Sequence, residues 1–337
     1  MRNLLLFVHI LLASAFCMAI LDCGTSGGVC YAQSQAVLEE KGGERVEVNI
    51  EELGQKPFEP LYAYKSTDEL LKDIEAYEEL LARHTKEKSP RDYVTLRIRL
   101  GFSYLTLRAV QREKHVRLAT EDFGSAIKLS GESGFKKEFY EAKVGLGLAL
   151  QELPGDEHTK NLDEAVKVLE DAATYFTKEQ NPRAYAIVSN SLGSACLRLY
   201  SIGERKGDRL SVAETYFKQT LSVASHDKFP VQYGRAQMGL GSVYMDLFGA
   251  GEDRLMMEKA LGAFSDARTV FSEKFFPADY TSSIFLTALV YVNDEDYHNA
   301  GKYLEETMDV AGRTKDPRLE GFMGYMYSYE ASQGLLE

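Results

Sequence analysis

A leucine-glycine step inside an apolar run recurs along this chain, as Leu100-Gly101, Leu146-Gly147, Leu192-Gly193 and Leu240-Gly241, and the same slot then holds Ala288 and Ser328. The small residues stand 46, 46, 48, 47 and 40 residues apart. A period of this size constrains the fold more than any other feature, because each unit of a repeat array packs only on its neighbours. A chain of 337 residues built this way needs no single large core. Eleven residues before each small residue stands a segment start: Pro90, Lys136, Pro182, Pro230, Pro277 and Pro317. Proline suits the first turn of a helix, where its missing N–H has no partner to lose. Ser89, Asn181 and Asp316 precede three of these starts as N-cap residues would.

A second helix follows in each unit. Its mark is an alanine four residues before a large apolar side chain, in the pairs Ala119/Phe123, Ala165/Leu169, Ala213/Phe217, Ala260/Phe264 and Ala300/Leu304. Three residues further on comes Ala126, Ala172, Thr220, Ala267 or Thr307, so all three positions share one helix face. Three residues after the small residue of the first helix stands an aromatic side chain in three units, Tyr104, Tyr244 and Tyr291, with Leu150 and Cys196 as departures. These residues resemble the tetratricopeptide repeat family, across residues 66–337. The resemblance implies an all-α fold, a right-handed α-solenoid of antiparallel helix pairs.

The units are longer than the ~34 residues usual for that family. The step from the second helix's large residue to the next small residue stays at 24 throughout, from Tyr77→Gly101 to Leu304→Ser328. Length variation therefore falls on the connection inside each unit, read as Gln111–Arg117, Glu152–Asn161, Ser201–Arg209, Phe248–Asp253 and the tight Asn293–Asp296. A lone second-type helix at about Thr67–His84, with Asp73 where alanine would stand, opens the array. A lone first-type helix at about Pro317–Gln333 closes it, giving about twelve helices in one repeat domain spanning 66–337.

Residues 1–32 pose a different problem. A short positive start, an apolar stretch from Leu4 to Leu21 and the small-residue site Cys30-Tyr31-Ala32 have the layout of a secretory signal peptide cleaved before Gln33. An uncleaved N-terminal membrane anchor is the alternative. Residues 33–65, with Gly42-Gly43, Gly54, Pro57 and Pro60, read as a linker, with a short extended piece at Val46–Ile50. Three of the four cysteines lie in the leader, and the mature chain keeps only Cys196, in an apolar helical pattern. The expected location is extracytoplasmic, periplasmic or secreted.

Chemistry is sparse. The five later histidines (His84, His115, His158, His226 and His298) are not spaced as paired ligands, and they fall at helix ends or connections. Gly145-Leu146-Gly147 begins like a nucleotide fingerprint but follows no strand. The run Asn293–Asp296 lacks the alternating oxygens of a calcium loop and reads as a turn with an N-cap. No cofactor, metal or catalytic residue is expected. A net charge of -12 repels phosphate backbones, so nucleic acid is not expected as a partner.

In the family, the first helices line a concave groove that binds a peptide or protein segment. The carboxylate-clamp positions hold Phe102, Leu148, Ser194, Ser242 and Leu289, with Ile98, Val144, Asn190, Met238 and Phe285 three residues before the small residue. The asparagine and lysine that such a clamp uses are missing from those slots, so no clamp is expected. The polar residues expected to project into the groove are Asn190, Arg198, Arg235 and Asp246. The apolar last helix, Phe322 to Tyr329, offers Tyr325 and Tyr329 for a partner or for a homodimer contact. These features favour a non-catalytic protein-interaction scaffold. The alternative is a small-ligand receptor or enzyme with its site on the glycine-rich connections Ser201–Arg209 and Phe248–Asp253.

Overall fold

The computed structural model describes residue 50 and residues 67–107, 111–155, 157–203, 208–251, 253–316 and 318–332. The leader and all of the linker but Ile50 lie outside them. The described chain is all-helical, with twelve α-helices: α1 (Thr67–Arg83), α2 (Pro90–Thr106), α3 (Arg112–Ser133), α4 (Lys136–Glu152), α5 (His158–Ala173), α6 (Pro182–Ser201), α7 (Arg209–Leu221), α8 (Pro230–Gly251), α9 (Arg254–Arg268), α10 (Pro277–Asn293), α11 (Tyr297–Thr314) and α12 (Leu319–Ser332). Five of the six expected starts, Pro90, Lys136, Pro182, Pro230 and Pro277, are the first residues of even-numbered helices. Pro317 lies outside the described residues.

The chain divides into two compact units, residues 33–191 and residues 192–337, with α6 contributing its first half to one and its second half to the other. In residues 33–191, α1 packs on α2, α2 on α3, α3 on α4 and α4 on α5, and the first helices α2 and α4 also touch. In residues 192–337, the same succession runs from α7 to α12, and the first helices α8 and α10 touch. This is the layout of an α-solenoid, in which each helix pair is buried by the next.

The recurring glycines explain the period. Phe123 of α3 is fully buried, and its ring lies against Gly101 of α2 and Gly145 of α4. A β-carbon at Gly101 would come within 2.8 Å of the Phe123 ring, and one at Gly145 closer still. In residues 192–337, Phe217 of α7 lies in the same way against Gly193 of α6 and Gly239 of α8, and Phe264 of α9 against Gly241. Leu169 of α5 sits on Gly147. The second-helix side chain is thus a wedge seated on the bare backbone of the first helices. Phe123 and Phe217 also reach the next first helix, at Gly145 and Gly239, 22 residues on in both cases, and this packing across the connection between units keeps the 24-residue step constant.

A second tie recurs at the tyrosines. Tyr104 Oη donates to Glu78 Oε1 at 2.7 Å, and Tyr244 Oη to Glu214 Oε1 at 3.0 Å, each bond joining a first helix to the second-type helix before it. Where Leu150 and Cys196 replace tyrosine, the side chain is simply buried.

The connections differ from the sequence reading. Residues 112–117 are helical, because α3 starts at Arg112 after Gln111 in a left-handed conformation. Their charges form an exposed face with a Glu113–Arg117 pair at 2.8 Å, while Val116 is buried and Arg112 Nη1 donates to the carbonyls of Tyr104 and Leu107 at the end of α2. Likewise α5 begins at His158, and Gly249 and Gly251 form the last turn of α8. Ser89 holds the N-cap position of α2, but its side chain makes no capping bond. Side-chain caps instead open three of the second helices, α7, α9 and α11: Asp208 accepts from Ser211 N, Asp253 from Leu255 N and Asp296 from Asn299 N. The reading of Asn293–Asp296 as a turn with an N-cap is met by Asp296, whose carboxyl is held below the usual carboxylate range by its bonds to Asn299. Removing such a cap leaves a first-turn N–H without its partner. Asp253→Ala should therefore cost about 1 kcal/mol, seen as faster amide exchange at Leu255 and Met256, whereas Asp253→Asn should keep the protection.

Candidate functional site

The odd-numbered helices supply the wedges, and the polar residues expected to line a groove lie on the first helices. In residues 192–337 the relevant face of α8 is set by spacing: Arg235, Met238, Ser242 and Asp246 follow one another at three, four and four residues, which keeps them on one side of the helix. Ser242 is buried, and Arg235 and Asp246 are half-buried. Eleven residues separate Arg235 from Asp246, about 16 Å along the axis, so they form two stations on a stripe and not a pair. Arg198, in the second half of α6, is buried at 2% exposure and is one of the largest fully buried side chains of the protein. Asn190, in the first half of α6, is also buried. Of the four groove residues expected from the sequence, two are therefore enclosed and two are half-open.

The corresponding face of α4, in residues 33–191, carries polarity that the sequence reading passed over. Glu138, Glu141 and Gln151 are all buried there. Gln151 is 1% exposed, and its Nε2 donates to Gly147 O, one turn back, at 3.1 Å. Its Oε1 is buried with no hydrogen-bond partner, and the same holds for Glu138 Oε2. Glu138 Oε1 accepts from Arg91 Nε at 2.7 Å, and Lys137 Nζ lies 3.6 Å from Glu141 Oε1. Burial pushes the Glu141 carboxyl above its ordinary value, against the pull of Lys137 and Arg99. Glu152, at the end of the helix, pairs with Arg112. The signal for this face was present: Glu141 and Gln151 stand six before and four after Gly147. The clamp slots three before and one after it hold Val144 and Leu148.

The last helix corrects a second expectation. Tyr325 and Tyr329 are core residues, at 6% and 3% exposure. The Tyr325 ring meets Phe285 edge-to-face at 5.3 Å, and Tyr329 Oη donates to Tyr297 O at 2.6 Å. The large apolar side chains exposed on α12 are Met323 and Tyr327, on the opposite face. A helix closing an array must bury one side on its predecessor, and the tyrosines with helical spacing to Phe322 are the ones that do so.

The histidines keep to helix ends and connections. His84 Nδ1 lies 3.2 Å from Asp92 Oδ2, and His158 Nδ1 lies 2.8 Å from Leu153 O. His115 stacks on Tyr104, and burial lowers its pKa. Among the described residues, no group of three or more His, Cys, Asp or Glu side chains converges as a metal site. Cys196 is buried. Gly145 and Gly147, the fingerprint-like pair, are the seats of Phe123 and Leu169. In the connection Ser201–Arg209, residues 204–207 lie outside the described residues, as does residue 252 in Phe248–Asp253.

No helix among the described residues is long and apolar enough to cross a membrane. No protein-family model matches the chain, and no curated protein matches it.

Proposed function

We propose that this chain is a non-catalytic binding scaffold of the tetratricopeptide kind, holding a peptide or protein segment along its first helices. The observation that carries the reading is the stripe on α8, where half-buried Arg235, Met238 and Asp246 share one side of the helix with buried Ser242. Their spacing sets both charges on one side of the helix about 16 Å apart, so an extended segment lying along α8 meets a cationic station and an anionic one in turn. The repeat signature in the sequence supports the family assignment, and the signal-like residues 1–32 support an extracytoplasmic location. No cofactor enters this account, and the partner is a protein.

Site-directed photocrosslinking in the organism of origin tests it. A benzophenone amino acid at position 235 or 246 should trap one and the same protein. The same group at Val212 on α7 or Leu255 on α9, both exposed on second helices, should trap none. Crosslinks arising only from the second-helix positions would reverse the assignment of the binding face.

A further inference from the structure

We propose that the first-helix face of α4 takes an extended peptide segment bearing lysine or arginine, with Glu138 and Glu141 receiving its cation and Gln151 Oε1 accepting one of its N–H groups. The inference rests on the scaffold reading and names the chemistry of its ligand.

Three observations lead there. The first concerns where the charges lie. Glu138 and Glu141 have side chains 12% and 9% exposed, whereas the cations that answer them, Arg91 and Lys137, are 64% and 47% exposed. The carboxylates are inside and their counter-charges stand at the rim in water, so each pair is screened on the cationic side and poorly solvated on the anionic side. Half-buried Arg99 also bears on Glu141 and offsets part of this field. Two buried carboxylates against one half-buried guanidinium still leave the interior of the face negative.

The second observation is the pair of unanswered acceptors. Glu138 Oε2 and Gln151 Oε1 are buried without partners, and leaving a buried acceptor unmade costs more than the bond itself contributes. Both call for donors, which an ammonium, a guanidinium or a peptide N–H supplies and an anion does not. Gln151 is independent of the carboxylates, since its own amide nitrogen is spent on Gly147 O and only its carbonyl end is free to receive.

The third is distance. Glu141 and Gln151 are ten residues apart on one broad face of the helix, about 15 Å along its axis. A single ion or a small amine cannot touch both ends. An extended chain rising about 3.3 Å per residue spans the interval with four to five residues. The rim cations are long and flexible, so Arg91 and Lys137 swing clear when a ligand cation replaces them. The net charge of -12 favours the approach of such a segment.

Titration of the full chain with three dye-labelled, end-capped peptides, alternating glycine with lysine, serine or glutamate over about eight residues, decides the matter. The lysine peptide should bind saturably and the other two should not. Glu138→Gln and Glu141→Gln should each weaken it roughly tenfold or more. Glu113→Gln, on the exposed face of α3, removes the same unit of charge and should leave the affinity unchanged, which separates this site from general attraction to an acidic protein. Equal affinity for the wild type and the two α4 glutamate variants would overturn the proposal. Binding of the serine or glutamate peptide in place of the lysine peptide, lost on Gln151→Leu, would overturn the cationic assignment and leave the scaffold reading standing. Failure of all three peptides to bind would overturn the proposal, and the photocrosslinks at positions 235 and 246 would then decide the scaffold reading separately.

Discussion

Phe123→Ala should lower the stability of the helical array by about 3–5 kcal/mol, and Phe217→Ala by a similar amount. Each side chain is fully or almost fully buried, and each fills the space over two glycines at once: Gly101 and Gly145 for Phe123, Gly193 and Gly239 for Phe217. Truncation opens a void lined partly by helix backbone, which cannot collapse without moving a whole first helix. Urea denaturation followed by helical ellipticity reads the loss as a lower midpoint. The cost should exceed that of any surface substitution on the same helices, because the stability of a solenoid is a sum of local and neighbour terms and this residue enters two neighbour terms.

The second large effect is one of pH. Asp122 of α3 is buried, and its Oδ1 accepts from Arg97 Nη1 at 2.6 Å while Arg97 Nε donates to Tyr93 Oη. Burial raises the Asp122 pKa to about 6, outweighing the hydrogen bond and charge of Arg97, with Glu121 and Glu78 pushing the same way. The same contact raises the pKa of Arg97, which is partly exposed and already charged at any working pH, so the carboxyl is the group that titrates. The folded state thus holds a proton that the unfolded chain, with an ordinary carboxyl, has already released. Stability should therefore fall as pH rises through the window between the two values. This group contributes about 2 kcal/mol less at about pH 7.5 than at about pH 4.5. Asp122→Asn removes the titration. Denaturation curves for both proteins across that range should show their stability difference changing by this amount, and a constant difference would remove Asp122 as its source.

Much of the fold is legible in the chain because close packing writes it in residue size. Two helix axes near the lower end of about 8–10 Å leave no room for a β-carbon under Phe123 or Phe217, and so glycine recurs with the period of the array. The prolines at four first-helix starts are as plain, since a helix N-terminus tolerates them and an interior does not. What was harder to read follows from side chains that look alike in different settings. The run Arg112 to Arg117 has the charge of a loop, but it forms an exposed helical face closed by the Glu113–Arg117 pair. Tyr325 and Tyr329 have the chemistry of a docking surface, but their direction on α12 turns them onto Phe285 and Tyr297. The polar face of α4 was concealed for a further reason. Glu141 and Gln151 occupy slots outside the best-known ligand signature, and only the packed neighbours reveal that they are buried.

The wedge-and-seat packing underlies the repeat, the 24-residue step and the orientation of the first helices. Its most direct test is the coupling between Gly145 and Phe123. Gly145→Ala alone should destabilise by about 1–3 kcal/mol, despite the better helix propensity of alanine, because the added carbon collides with a buried ring. Gly124→Ala, one residue along from Phe123 with open space around it, should instead stabilise by about 0.5–1 kcal/mol. In a Phe123→Leu background the cost of Gly145→Ala should shrink by about 1 kcal/mol or more. An unchanged cost in that background, or a Gly145→Ala protein as stable as the wild type, would contradict the account.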